Sequence, residues 1–260
     1  MKRTIAIIAC ALLAAACSQN GEGGRITDSH KVHQSVHQSF ASSSSPAISI
    51  SNTSGNISVS GWSQPRVQID VDKYGENQSD LANSEIVIDH SPDEISIKTH
   101  YANGTRGFAP RQRGGEVYYT LHVPKDSQLK IRNVTGDESA TGVGGKFDAQ
   151  SVSGEIKADS LTTDADVSTT SGSISLAFAK SPQNGSINVR TVSGPIAVRV
   201  PANIGATVDA GSVSGDFSTD FPSVRPQKRD VGSKASGTIG SGGTTIKLGT
   251  VSGGIELRKT

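Results

Sequence analysis

Cysteine is almost missing from this chain of 260 residues: Cys10 and Cys17 are the whole supply. Everything after residue 17 therefore lacks a thiol for a disulfide, a nucleophile or a Cys-based zinc or iron–sulfur site. Aromatics are scarce too, at 4%. Beyond Phe108 only Tyr118, Tyr119, Phe147, Phe178, Phe217 and Phe221 remain to offer the flat platforms on which sugars usually stack. Neither sign of charge dominates, with 25 Lys and Arg against 24 Asp and Glu, and no concentrated basic stripe. That balance argues against nucleic acid as a partner. Nucleotide-binding, zinc-protease and EF-hand motifs are all absent. One long apolar run exists, Ile5 to Ala16, and it is too short to stay in a bilayer as a spanning helix.

That run follows Lys2 and Arg3 and ends in small residues, the layout of an export signal. The residues just before Cys17 resemble the lipobox of bacterial lipoproteins, although Ala14 stands where Leu is usual. The resemblance implies cleavage before Cys17, diacylation of that cysteine and a lipid anchor. Ser18 at the next position implies outer-membrane sorting if the cell is Gram-negative; the rival is a freely secreted or periplasmic product. Residues 1–17 are thus expected to be the signal with its lipobox, and residues 18–45, polar and aperiodic, a flexible tether. His30, His33 and His37 in the tether have helix-like spacing, but polar filler is the better reading than a metal site.

What the chain has in quantity is glycine, 29 residues, beside only 33% hydrophobic residues. A thick core needs more apolar mass, whereas a repetitive β-architecture burying narrow rows of Val and Ile fits. Residues 46–125 alternate with period two. In "RVQIDVD", Val67, Ile69 and Val71 share one face and Gln68, Asp70 and Asp72 the other. No stretch has convincing helical periodicity. Between two such strands Tyr101 to Gly115 forms a basic loop with Arg106, Phe108, Arg111 and Arg113, better read as a solvated tip than a ligand contact.

From residue 126 to 260 one phrase recurs, as "SVSGEI", "TVSGPI" and "SVSGDF", with glycines at 136, 154, 172, 194, 215, 237 and 253. Spacings near twenty are solenoid spacings. The pattern V-x-G-x-[IF] predicts Val152 with Ile156, Val192 with Ile196 and Val213 with Phe217 as inward ladders in rungs stacked in sequence order. The glycine either avoids crowding a narrow axis or turns a corner at positive φ. Residues 46–125 are expected to cover one end of the stack, and Arg258 and Lys259 to discourage stacking at the other.

β-Helices also carry polysaccharide lyases and glycoside hydrolases, which need paired carboxylates. Asp137, Glu155 and Asp216 each follow a repeat glycine, and Asp148, Asp159, Asp164 and Asp166 fall in the middle rungs. The equivalent positions hold Ser173, Pro195, Thr238 and Gly254, so the series reads as an outward hydrophilic slot. His90, His100 and His122 fall on strands or their edges and build no triad with serine, and Trp62 is read as closing the end of the core.

The strand leading to "SVSGW" at Ser58–Trp62, the "VQIDV" strand, "LHVPKDSQLKIRNVTGD" at Leu121–Asp137 and "VRVPANIGATVDAGSVSGD" at Val198–Asp216 together resemble the bacterial family DUF4097, labelled an adhesin domain, from Pro46 to Thr260. The resemblance implies an all-β, right-handed β-solenoid or β-helix-like stack of short strands, an envelope location and no catalytic residues. Some relatives accompany envelope-stress signalling. The expected function is a non-catalytic, lipid-anchored envelope protein with a structural, adhesin-like or protein- or glycan-binding role. The alternatives are a β-helix lyase or hydrolase, or a stress-signalling accessory. Expected partners are the membrane, through Cys17, and an envelope protein or glycan, with weak homo-association and no cofactor or metal.

Overall fold

The computed structural model describes residues 3–7, 32–101, 114–228 and 232–260. Cys17, His30 and the loop arginines and Phe108 lie outside these residues. The fold is all-β. In chain order it begins with β1 (Arg3–Ile7), β2 (Val32–Ala41), β3 (Ala47–Ser51), β4 (Ile57–Trp62) and β5 (Arg66–Gly75). A five-residue helix, α1 (Gln78–Ala82), follows, then β6 (Ser84–His90), β7 (Glu94–Tyr101), β8 (Glu116–Pro124) and β9 (Gln128–Arg132). Next come β10 (Glu138–Thr141), β11 (Phe147–Gln150), β12 (Ile156–Leu161), β13 (Ala165–Ser171), β14 (Ile174–Phe178), β15 (Ser186–Ser193) and β16 (Ile196–Val200). The chain closes with β17 (Ala206–Ser214), β18 (Phe217–Thr219), β19 (Arg225–Lys228), β20 (Ser233–Ile239), β21 (Thr244–Ser252) and β22 (Ile255–Lys259). Helix α1 shows no apolar period; it rests on a local cap, the Asn77 side chain accepting the Asp80 N–H at 3.1 Å.

Two sheets face each other, one of twelve strands and one of ten. Each rung is a strand of the larger sheet, a tight arc and a strand of the smaller. The spatial order is β3–β4, β9–β10, β11–β12, β13–β14, β15–β16, β21–β22 and β17–β18, with parallel pairing throughout. In-register pairing stacks like on like. Ile50, Ile131, Ala149, Val167, Val189, Leu248 and Ala210 form one buried row across the larger sheet. The smaller sheet buries Ile57, Glu138, Ile156, Ile174, Ile196, Ile255 and Phe217 opposite it. The thin core expected from composition is this double set of ladders.

Each arc carries one glycine at positive φ: Gly55, Gly136, Gly154, Gly172, Gly194, Gly253 and Gly215. Both reasons for glycine hold at once. A Cβ on Gly172 would come within 1.9 Å of the Gly154 carbonyl oxygen, and one on Gly194 within 2.0 Å of that of Gly172. The carbonyls so stacked are hydrogen-bonded from inside the arc by a buried polar row. Asn133 Nδ2 donates to Gly55 O at 3.1 Å, Thr250 Oγ1 to Gly194 O at 3.3 Å and Ser212 Oγ to Gly253 O at 2.9 Å. Ser151 and Thr169, in the same row, have buried hydroxyls without a partner.

Several expectations need correction. Rungs do not stack in sequence order, because β21–β22, later in sequence than β17–β18, fills the place between it and β15–β16. Gly55 opens the rung series, so regular rungs begin before residue 126, and Gly237 does not belong to it. It sits inside β20, antiparallel to β17 and opposite Val208. Arg258 and Lys259 consequently do not guard an end. Hairpin β19–β20 covers that end of the larger sheet, and Arg258 instead ties β18 down through Asp220 at 3.1 Å and Ser218 at 2.9 Å. At the other end lie β6–β7 and, on the smaller sheet, β8, β5 and β2, while β3–β4, also before residue 125, is itself a rung. β1 pairs antiparallel with β6.

Of the tether expected over 18–45, residues 32–41 are instead a strand, since β2 pairs residue for residue with β5 from Val32↔Gly75 to Ala41↔Arg66. Its inward face alternates Val32, Val36 and Phe40 with Gln34 and Gln38, too dilute a stripe for a hydrophobicity reading, although Phe40 is buried and Val36 packs on the core. On its outward face His33 Nε2 meets Asp72 at 3.0 Å and His37 Nδ1 meets Asp70. Burial pushes the Asp70 carboxyl up, but hydrogen bonds from Gln68 and His37, with the charges of His37 and His122, outweigh it and hold the net value below the ordinary range.

Glu138 is the one acid in a core ladder. It stands in register with Ile57 and Ile156, and neither carboxyl oxygen has a hydrogen-bond partner. Burial lifts it to about 8 from the ordinary 4.5, against a weaker opposing pull from Arg132. Below pH 4.5 folded and unfolded chains both carry the proton. As pH rises from there to 8 only the unfolded chain ionises, so stability falls by about 1.4 kcal/mol per pH unit, and the fall levels off above 8, where both states are ionised. Glu138→Gln should flatten this slope in urea titrations run between pH 5 and 8. Gly172→Ala should lower stability by roughly 3 kcal/mol or more, since both the strained φ and the carbonyl contact oppose a Cβ; thermal unfolding by circular dichroism measures it.

Candidate ligand-binding face

The glycine arc resets the inward–outward alternation. The residue two before each glycine faces water and the residue two after faces the core. Val152, Val192 and Val213 are therefore outside, at 49%, 50% and 52% exposure, while Ile156, Ile196 and Phe217 are inside, and the expected pairing of the two as inward ladders is half wrong. Simple alternation across four residues would put both on one side, but the positive φ breaks it. Outside, the register sets Val134, Val152, Thr170, Val192, Val251 and Val213 in a ridge along the rungs, one per about 4.8 Å. Scattered exposed valines mean nothing, but a contiguous row is a surface feature.

Beside the ridge the larger sheet carries a groove of about 810 Å³. Its floor follows one cross-strand row: Ser168 of β13, Arg190 of β15, Gly249 of β21, Gly211 of β17 and Lys234 of β20. The two neighbouring glycines have ordinary φ and spare room. Around a Cβ on Gly249 nothing lies within 4 Å, and around one on Gly211 the nearest atom is 3.9 Å away. They differ entirely from the arc glycines, because here glycine makes a depression that packing does not require. Val192, Val251 and Val213 form one wall, with Lys247 and Asp209 on the other side. Lys234 pairs with Asp209 at 3.6 Å, whereas Arg190 and Lys247 have no ion pair or side-chain hydrogen bond among the described residues.

A second groove of about 540 Å³ lies further along the same sheet, lined by Ser49, Lys130, Arg132 and Asp148 among others. There Arg132 meets Asp148 at 2.9 Å, while Lys130 and Lys146 form no ion pair among the described residues.

The carboxylates singled out from the sequence are not gathered into one place. Asp137 and Glu155 follow adjacent arcs, Asp216 follows the arc at the far end, and all three are exposed; Asp137 accepts the Glu155 backbone N–H at 2.9 Å, the work of a turn. Thr238 does not belong to this slot, since β20 is not a rung; Asn56 does. Asp148 and Asp166 are register neighbours on the larger sheet, with Asp148 held by Arg132. Asp164 accepts the Ser186 N–H in a loop, and Asp159 is on the other sheet. An acid–base pair needs one carboxyl kept protonated at neutral pH. Among the described residues Glu138 alone is raised in this way, and it is enclosed in the core.

The histidines are likewise dispersed. His90 stacks on Phe40, and His122 bonds Ser60 at 2.6 Å and stacks on Trp62. Trp62 does not close the core as expected. It is half-exposed, donating its indole N–H to Arg66 O at 2.8 Å under the Arg66 guanidinium. No group of three or more metal-ligating side chains occurs among the described residues. The valine ridge and the free cations of the groove were missed by sequence reasoning; the recurring V-x-G marked the ridge positions but not the way they face.

Residues 45–258 match the family described as Toastrack DUF4097. Among solved structures, the chain is similar to a candidate cell adhesion protein from Clostridium sporogenes, at 13% identity and a TM-score of 0.51, over 87% of this chain and 100% of that one. It is also similar to a candidate adhesin from Bacteroides fragilis, at 13% identity and a TM-score of 0.40, over 87% and 97%. No curated protein matches the sequence.

The burial difference across the arc has a direct test. Val192→Ser should leave stability within about 0.5 kcal/mol of wild type, while Ile196→Ala should cost about 2–4 kcal/mol, compared by denaturant unfolding.

Proposed function

From the chain's membership of the Toastrack DUF4097 family, we propose that it is a non-catalytic binding protein of the bacterial envelope, a right-handed β-solenoid held to the membrane by lipid on Cys17. The observation that carries the binding reading is the valine ridge with the open groove beside it, a regular surface several rungs long that the fold leaves uncovered. A rigid rack presenting such a face on a membrane anchor raises the local concentration of weak contacts. Adhesion, the role named for the structural neighbour from Clostridium sporogenes, is one use of that arrangement.

The anchor is supported by Lys2 and Arg3, the apolar run to Ala16 and the small residues preceding Cys17, with Ser18 favouring the outer membrane in a Gram-negative host. Cleavage there would remove β1 from the edge of β6. Residues 18–31 then serve as the remaining tether. The dispersal of Asp137, Glu155, Asp216, Asp148, Asp159, Asp164 and Asp166 weighs against a lyase or hydrolase.

Labelling with radioactive palmitate, followed by fractionation, tests the anchor. The wild-type chain should carry label and sediment with membranes, and Cys17→Ser should lose both. An unlabelled wild-type chain in the soluble fraction would replace the anchored reading with a secreted one.

A further inference from the structure

We infer that the groove between Arg190 and Lys234 receives an extended, acidic peptide segment of a partner protein, with its carboxylate between Arg190 and Lys247. The inference rests on the binding reading above and names the class of partner.

Arg190 and Lys247 lie on adjacent strands, offset by two residues: Arg190 is opposite Gly249 and Lys247 opposite Asn188. Both are exposed and neither forms an ion pair among the described residues; Asp209 stands opposite Lys247 but pairs with the third cation of the groove, Lys234. Two free cations on neighbouring strands fit one carboxylate, and the planar guanidinium can grip it with two parallel N–H bonds. The partner is therefore anionic at that point.

Its remaining chemistry follows from the floor and the wall. From Arg190 to Lys234 the row crosses three strand spacings, about 14 Å, the length of roughly four extended residues. Gly249 and Gly211 occupy the middle of that row with open space above them. Glycine inside a strand weakens it and marks places where another backbone comes close. Val192, Val251 and Val213 alongside offer apolar contact to a side chain next to the acidic one. An anionic glycan would share the charge requirement, but no aromatic ring lines the groove for a sugar to stack on. An acyl chain would stay half in water in so shallow a trough.

The test is selection of a displayed random hexapeptide library on the full mature chain, followed by binding of the selected peptides to variants. Gly249→Val is the decisive one: its side chain fills the trough and should leave unfolding unchanged or slightly improved, because it meets nothing in the fold. The expected result is enrichment of Asp or Glu beside Val, Ile or Leu, with affinity lowered about tenfold or more in Arg190→Gln and in Gly249→Val, and weakened by salt. Selected peptides without acidic preference, or ones that Gly249→Val retains as well as wild type, would overturn the groove assignment while leaving a binding protein. Polygalacturonate captured by wild type and lost in Gly249→Val, with no peptide selected, would overturn the peptide and put a glycan in its place. Retention of neither probe by any form would count against both the groove and the binding reading.

Discussion

Backbone touching backbone at the arc is the constraint on which everything else rests. Seven glycines stacked with carbonyl oxygens about 2 Å from where their Cβ atoms would be leave no tolerance for any other residue, and that closeness brings successive rungs into register. Register in turn decides which side chains meet. With it fixed, Ile stacks on Ile and a core only two ladders thick per sheet excludes water, which the modest apolar content of the chain would not achieve in a rounder shape. The polar row inside the arc answers the cost of enclosing those carbonyls, as Asn133, Thr250 and Ser212 donate to them.

The same device generates the outer surface. An arc that turns by positive φ gives two residues of one short phrase opposite fates, and repetition converts one exposed valine into a row. The face of the molecule and its core are thus two readings of a single repeated sequence. Where the repeat relaxes, as at Gly249 and Gly211, the surface acquires relief. Where an acid intrudes, as at Glu138, the core acquires a titrating group.

Much of this was legible beforehand. The period near twenty, the β-alternation of Val67, Ile69 and Val71, and the need for glycine at Gly154 or Gly172 are local facts, and locality is what a sequence records well. The facing of Val152 was not legible, because it depends on a dihedral sign that two different explanations of the glycine left open. β2 escaped notice because glutamines separate Val32, Val36 and Phe40 on its inward face and leave too few apolar residues to mark a strand. Gly237 imitated the phrase inside a strand running the other way. The exchange of the last two rungs is a matter of long-range topology, to which a repeat with nearly identical units is blind.

That exchange has a bearing on how such a chain is made. A solenoid threaded in order can consolidate turn by turn as it emerges. Here β17–β18 has no rung beside it until the final residues, β21–β22, arrive and wedge between it and β15–β16. The stack is therefore completed one place in from its end, by a segment later in sequence than the end itself. A chain cut between residues 219 and 244 would hold an unmatched pair of sheet edges, open to proteolysis, so the stack is sealed only by a segment distant in sequence from the rung it joins.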